Sequence, residues 1–532
     1  MRRMRGVYSF LFILLIIIGL MGCSNSSSTG KTSQSNSSGN SQSGQSGGKL
    51  DIAYEAQPDT LDPTVTTSGA TKDTARLMYE SLLTLDENWT VAPQLAESYN
   101  VSDDGKVYTF KLRQGIKFHN GKEMTADDVV ASMERWTTNS SLTKSILEGA
   151  EWKKVDDYTV ELHLTKSSAL VPFALADQNQ LAAIMPKEVA EKAGPTGATE
   201  YVGTGPFKFV EWKTNQYIHF TKFEDYQPRS EQTSGLAGKK EALVNDIYWH
   251  FVPDESTRNA GLISGQYDIA TGVSYDTVEQ LENTPGTGVN IHTYGIQMLV
   301  FNKKQGLFSD VKARQAVNYA LDKELVLRSS FGDERFYKLE PSLFRPEQTD
   351  WYSDAGKDVY NKKDLELAKK LLKEANYNGE EIVILTSRDY AYQYNAAVAT
   401  QQLLEKIGIK AKLEVYDWGT LLERRGDPAL WDIFFTGWDT SVIPHQYGFL
   451  DSKAQWPGWT NSPEIDKLLS EIQAAKTQDE AKELYSQLQQ KMWEYLPIIN
   501  IGTYSKVTGV SDKVKGFRDF IGPVLWNVSV EE

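Results

Sequence analysis

The chain has 532 residues, 40% hydrophobic and 11% aromatic, an ordinary globular composition that can build a sizeable core. Its formal charge of −15 lacks the basic field of a nucleic-acid binder, which sets that class aside; the acidity itself favours solubility and says nothing about a ligand. Cys23 is the only cysteine, so no disulfide can form within the chain.

At the start, Arg2, Arg3 and Arg5 precede an apolar stretch from Phe10 to Met21, followed by Gly22 and Cys23. A positive segment and a short apolar core read as a secretory signal. The core is shorter than the roughly 20 apolar residues of a membrane span. An uncleaved anchor is the competing reading, and both readings export the body. The run Leu20-Met21-Gly22-Cys23 resembles a bacterial lipoprotein signal, although Met21 stands where that pattern favours a small or β-branched residue. The resemblance implies cleavage after residue 22 and a lipid on the Cys23 thiol. Residues 24–48 are Ser, Gly, Asn, Gln and Thr with Lys31 as the sole charge, and no apolar group is larger than the threonine methyl. They cannot bury enough surface to offset their chain entropy, which predicts a disordered tether reaching roughly 25–30 Å.

Short strands alternate with helices through the remaining chain, which predicts a mixed α/β body of two to four domains. Thr125 and Asp128 form the pattern of a capping box opening a helix with Val129, Val130 and Met133. Tyr158, Val160, Leu162 and Leu164 alternate with polar residues as a half-buried strand. Pro228 to Lys240 is rich in Ser, Gly and charge and reads as an exposed loop. Asp310 opens a helix with Ala313, Val317, Ala320 and Leu321 on one face. Leu365, Ala368, Leu371, Leu372 and Ala375 mark the next. Ser462 and Pro463 open one carrying Ile465, Leu468, Leu469 and Ile472, and Thr477 opens another carrying Ala481, Leu484, Leu488 and Met492. These stripes are core. No repeat of solenoid length is visible.

Four segments carry a family resemblance. The first runs from Leu95-Ala96-Glu97-Ser98-Tyr99 through Ser102-Asp103-Asp104-Gly105 and Tyr108-Thr109-Phe110 to Gly115-Ile116-Lys117-Phe118-His119-Asn120-Gly121 and Thr125-Ala126-Asp127-Asp128. The second is Gly203-Thr204-Gly205-Pro206-Phe207. The third is Phe301-Asn302, Val311-Lys312-Ala313-Arg314-Gln315-Ala316 and Tyr319-Ala320-Leu321-Asp322-Lys323. The fourth is Lys406-Ile407-Gly408-Ile409 with Trp418. In order and spacing the chain resembles the family 5 extracellular solute-binding proteins, peptide receptors of ABC importers. Within these motifs Gly115 and Gly121 suit positive φ, Pro206 stiffens a bend, and His119 reads as structural, with no other ligand at metal-site spacing.

The resemblance implies a type II periplasmic-binding-protein-like α/β fold (cluster C), two lobes hinged about a ligand cleft. Lobe I would comprise 49–91, 202–293 and 500–532, an extra domain 92–201 would pack with it, and lobe II would be 294–499. In peptide receptors of this family an aspartate three residues after a Gly-Trp pair holds the ligand's amino terminus. The pair here is Gly437-Trp438, and Ser441 stands at the aspartate's place. Asp439 is the nearest carboxylate, but strand alternation turns it to the face opposite Trp438. Pro444-His445-Gln446-Tyr447 resembles the App-like subgroup, which also lacks the aspartate. The resemblance further implies Arg388 and Tyr390 near a ligand carboxylate, where a guanidinium fork fits, and Tyr504 facing the cleft. For each, the plain alternative is a surface arginine or a packed tyrosine. Among Trp418, Trp431, Trp438, Trp456 and Trp459, one or two should reach the ligand.

The expected function is a lipid-anchored, monomeric receptor outside the membrane that delivers oligopeptides to a permease and ATPase. It implies no cofactor and no metal. An oligosaccharide receptor is the alternative. A nickel or haem receptor is less favoured because the six histidines are scattered, with His445 the one nearest Trp438. An extracellular hydrolase is disfavoured because no HExxH, GxSxG or Walker pattern occurs.

Overall fold

Two long strands, Thr287–Phe301 and Ile498–Ser511, organise the molecule. In the computed structural model, which describes residues 47–140 and 143–531, they pair antiparallel along most of their length. The leader, Cys23 and the tether up to residue 46 lie outside the described residues. On one side the first crossing strand pairs with Ile433–Asp439, which continues in parallel to Glu381–Ser387 and Lys410–Tyr416. On the other side the second crossing strand meets Ile269–Ala270, then Lys49–Tyr54, Asp246–Phe251, Tyr217–Lys222 and Phe207–Lys213. Tyr337–Lys338 completes an 11-stranded sheet. The two halves of the sheet are joined through the crossing pair, which is the two-lobed α/β architecture expected.

The crossing pair is irregular where the halves meet. Its register steps from Thr293–Ser505 to Gly295–Tyr504, leaving Tyr294 over. An extra residue of this kind kinks a strand and re-aims its side chain.

A second, four-stranded antiparallel sheet is formed by Ala96–Val101, Val107–Leu112, Thr159–His163 and Glu151–Asp156. Val160 and Leu162 are buried as their alternation predicts. The helix Ala126–Asn139 begins at the predicted box, with the Thr125 N–H donating to the Asp128 carboxylate at 3.0 Å. This segment reaches both halves of the molecule. Leu181 and Met185 join the core of Ile52, Leu77, Trp249 and Trp526. Phe110, Trp136 and Leu170 belong to the core that also holds Phe301, Leu403, Phe434 and Met492. Phe173 lies 5.5 Å from Trp351, and the Ala169 N–H donates to the Ala475 carbonyl.

The other predicted helices are Val311–Ala320, Leu365–Glu374, Pro463–Ala474 and Gln478–Tyr495. Asp310, Asp364, Ser462 and Thr477 cap them by accepting a backbone N–H from the first turn. Their apolar stripes are inside, with Ile465, Leu468, Leu469 and Ile472 all buried. None of the helices among the described residues is long and apolar enough to cross a membrane.

The segment Pro228 to Lys240 is a loop as expected, exposed at Pro228, Ser230, Glu231, Gln232 and Lys239, but not exposed throughout. It has no regular helix or strand, yet Leu236 and Lys240 are buried. Arg229 donates to the carbonyls of Gln94 and Ala96, and Lys240 lies 3.4 Å from Glu80. Composition marked the irregular backbone but could not reveal partners more than a hundred residues away.

Candidate functional site

The strand Ile433–Asp439 is buried through Thr436 and then opens at Gly437-Trp438-Asp439. Gly437 rests on Tyr504; a Cβ there would come 2.7 Å from the tyrosine oxygen. Beyond the strand, Pro444 opens the short 3-10 turn Pro444–Gln446. This edge forms one wall of a cavity of about 500 Å³, with Trp438, Asp439, Ser441, His445 and Gln446 along it. Asp177, Asn179 and Gln180, just after the helix Val171–Ala176, form the facing wall.

Trp438 is half-buried and held edge-on by Phe449 and Trp456, at 5.4 and 5.6 Å between ring centres. Asp439, the last residue of the strand, borders the same cavity, contrary to the expectation from strand alternation. Its carboxylate accepts the Tyr294 hydroxyl at 2.6 Å. Burial and this neighbouring charge push the Tyr294 hydroxyl's pKa well up, so it remains a donor. Ser441 is buried in the wall, and its carbonyl accepts from the Gln348 amide at 2.8 Å. His445 lies 3.0 Å from the Leu469 carbonyl through Nε2; burial lowers its pKa to about 4, so the ring is neutral and Nε2 is the donor.

The remaining expected residues stand elsewhere. Tyr504 is 5% exposed, stacked at 5.4 Å on Phe331 and 5.5 Å on Tyr392, so it supports Gly437 from beneath. Arg388 is exposed and donates to the Tyr394 hydroxyl at 3.1 Å. Tyr390 is exposed and meets Trp418 edge-on at 4.8 Å. Neither borders the cavity of Trp438. Of the five tryptophans, Trp438 borders the cavity, while Trp431 and Trp459 stack on each other at 5.6 Å.

The structure adds residues that sequence reasoning did not single out. Asp177 is 1% exposed, and its Oδ2 has no hydrogen-bond partner. Burial raises its pKa, opposed by the Gln446 side chain. A small gap bordered by Asn179, Asp439, Tyr294 and Arg345 leads toward a second cavity of about 310 Å³ beside Lys72, Tyr294 and Lys506. The Lys506 ammonium sits 3.5 Å above the Tyr294 ring. Arg345 donates to the Thr293 carbonyl at 2.9 Å and to the Thr440 hydroxyl at 2.7 Å, tying the crossing strand to the Trp438 edge. In the second cavity His292 lies 3.2 Å from Asp519. Burial lowers His292 to about 3 and pushes Asp519 up to about 7, so the charged pair is disfavoured. Among the described residues no group of three or more His, Cys, Asp or Glu is arranged to hold a metal ion.

Comparison with known proteins places this geometry. The profile of the bacterial extracellular solute-binding proteins, family 5 (middle), matches residues 90–460. A probable peptide ABC transporter periplasmic-binding protein, y4tO of Sinorhizobium fredii, is 32% identical over 492 residues, 88% of this chain and 91% of that one. The oligopeptide-binding protein AppA from Bacillus subtilis, solved in complex with a nonapeptide, superposes with a TM-score of 0.71 at 25% identity, over 92% of this chain and 100% of that one. AgaA from A. tumefaciens R10, solved in complex with agropinic acid, gives 0.72 at 27% identity, over 91% and 99%. With its profile match covering most of the sheet, the first crossing strand and both walls of the cavity, the chain belongs to the family 5 bacterial extracellular solute-binding proteins, which are transport receptors and not enzymes.

Proposed function

We propose that the protein is a lipid-anchored, extracytoplasmic receptor that captures oligopeptides and delivers them to the permease and ATPase of an ABC importer. The observation that carries this reading is the polar cavity of about 500 Å³ beside Trp438, bordered by the carboxylates of Asp177 and Asp439 and by the side-chain amides of Asn179 and Gln446. Carboxylates that can take an ammonium, beside amides that can pair with a peptide backbone, suit a peptide, and the cavity is of the size that ordinarily holds small ligands, roughly 300–1,000 Å³. The peptide-binding names of the S. fredii and B. subtilis relatives support the same ligand class.

In this proposal lobe I comprises 49–91, 202–293 and 500–532, the extra domain 92–201, and lobe II 294–499. Closure turns on the crossing strands near Tyr294. The body acts as a monomer, held by a lipid on Cys23 through the tether. The ligand lies against Trp438, Asp439 and Ser441. Arg388, Tyr390 and Tyr504 shape the surroundings from outside the cavity wall.

An oligosaccharide is the second reading, favoured by the aromatic corner of Trp438 and Trp456. A thermal-shift screen of residues 23–532 separates the two. Binding raises the melting temperature by mass action, by about 2.7 kcal/mol of added stability at a hundred times Kd. Shifts with peptides and none with cello- or xylo-oligosaccharides are expected; the reverse pattern overturns the peptide reading.

A further inference from the structure

We infer that the cavity beside Trp438 receives a primary ammonium group of the ligand, taken by Asp177 and His445. The inference deepens the proposed function and rests on that cavity being the ligand site. Asp177 and His445 both line the cavity, and each keeps one buried acceptor atom without a hydrogen-bond partner, Asp177 Oδ2 and His445 Nδ1. The histidine nitrogen is an acceptor because Nε2 already donates to the Leu469 carbonyl at 3.0 Å and the ring is neutral. Gln446 uses its side-chain oxygen on the N–H groups of Val442 and Ile443, leaving its amide nitrogen for Asp177. Asp177 makes no salt bridge with a lysine or arginine among the described residues, and its 1% exposure denies it a full shell of water.

The complementary group must donate in more than one direction, carry positive charge and bring no lone pair of its own. An ammonium has three N–H donors and no acceptor. A hydroxyl brings lone pairs and no charge, and a carboxylate is repelled. A charged ligand group also supplies the counter-charge that the buried carboxylate lacks in the protein alone. Ser441, on the opposite wall, contributes no charge, so Asp177 with Asp439 sets the sign of this end.

The test is a titration of residues 23–532 and of Asp177→Asn with a pool of short peptides in free-amine and N-acetylated forms, repeated with amino-sugar oligomers and their N-acetylated forms. The wild type should prefer free amines by roughly thirtyfold or more, the scale of losing a partner to a buried charge. In Asp177→Asn that preference should fall to within about threefold while acetylated ligands bind as before. The ligand-free variant should keep the far-ultraviolet circular dichroism of the wild type, because asparagine preserves the shape of the side chain and one acceptor oxygen. An unchanged amine preference in the folded variant overturns the proposal. Peptides that bind without any amine preference overturn it while leaving the peptide reading intact. Amino-sugar binding that depends on Asp177, with no peptide bound, keeps the ammonium site and removes the peptide reading.

Discussion

His119 Nε2 lies 3.0 Å from the Gly205 carbonyl, and its Nδ1 accepts the Gly203 N–H at 3.3 Å. This clamp needs a neutral ring with the proton on Nε2. Burial accordingly lowers the His119 pKa to about 4. The unfolded chain takes up the proton near 6.5, so stability present above that pH is lost as the pH falls from 6.5 toward 4. The full loss is roughly 2 kcal/mol after allowance for partial solvent access. Urea midpoints of wild type and His119→Gln across that range check it: the difference between them should shrink on acidification. Trp438 acts at the same scale. Trp438→Ala removes the plate held by Phe449 and Trp456 and should weaken ligand binding at least roughly tenfold while the far-ultraviolet circular dichroism is unchanged. Equal affinity of the two proteins would take Trp438 out of the site.

The crossing strands decide where those side chains stand. Gly295 faces the Trp438 carbonyl so closely that a Cβ would lie 2.1 Å from that oxygen. Gly295→Ala must spread the first crossing strand from the cavity edge, at a cost of about 1–3 kcal/mol in denaturant unfolding. It should also weaken ligand binding, because Asp439 pairs with Gly295 across the ladder and Trp438 is its neighbour. A variant of wild-type stability would show that the strands separate there without penalty. The helices show the opposite case, where local chemistry suffices. Ser462 caps Pro463–Ala474 and Thr477 caps Gln478–Tyr495, and both boundaries could be read directly, because a cap and its first turn are neighbours in sequence.

At the scale of the whole molecule, the family motifs carried the α/β fold, and Gly437-Trp438 led to the cavity edge. The facing wall was not legible. Asp177 follows an apolar helix as one polar residue among Asp177-Gln178-Asn179-Gln180, and nothing local distinguishes it from a surface turn; only the chain's return at His445 and Gln446, far along the sequence, brings them to the same cavity. Lys72 on the helix Gly69–Ala75 and Tyr294 and Lys506 on the crossing strands likewise come to one cavity through the fold and not through spacing. Arg388 was legible as an arginine after a buried strand, but its partner Tyr394 is local and draws it to the surface side of the helix Ala391–Glu405. Residues 92–201 pack into both cores, so movement of one half of the sheet against the other bears on the wall that holds Asp177. We propose that this two-lobed body binds peptides in the cavity beside Trp438. Calorimetric titration of residues 23–532 with short free peptides and with neutral oligosaccharides tests it most directly. Peptides should bind saturably, one to one, and more weakly to Trp438→Ala; saturable binding of the neutral oligosaccharides with no peptide heat would rule out a peptide receptor.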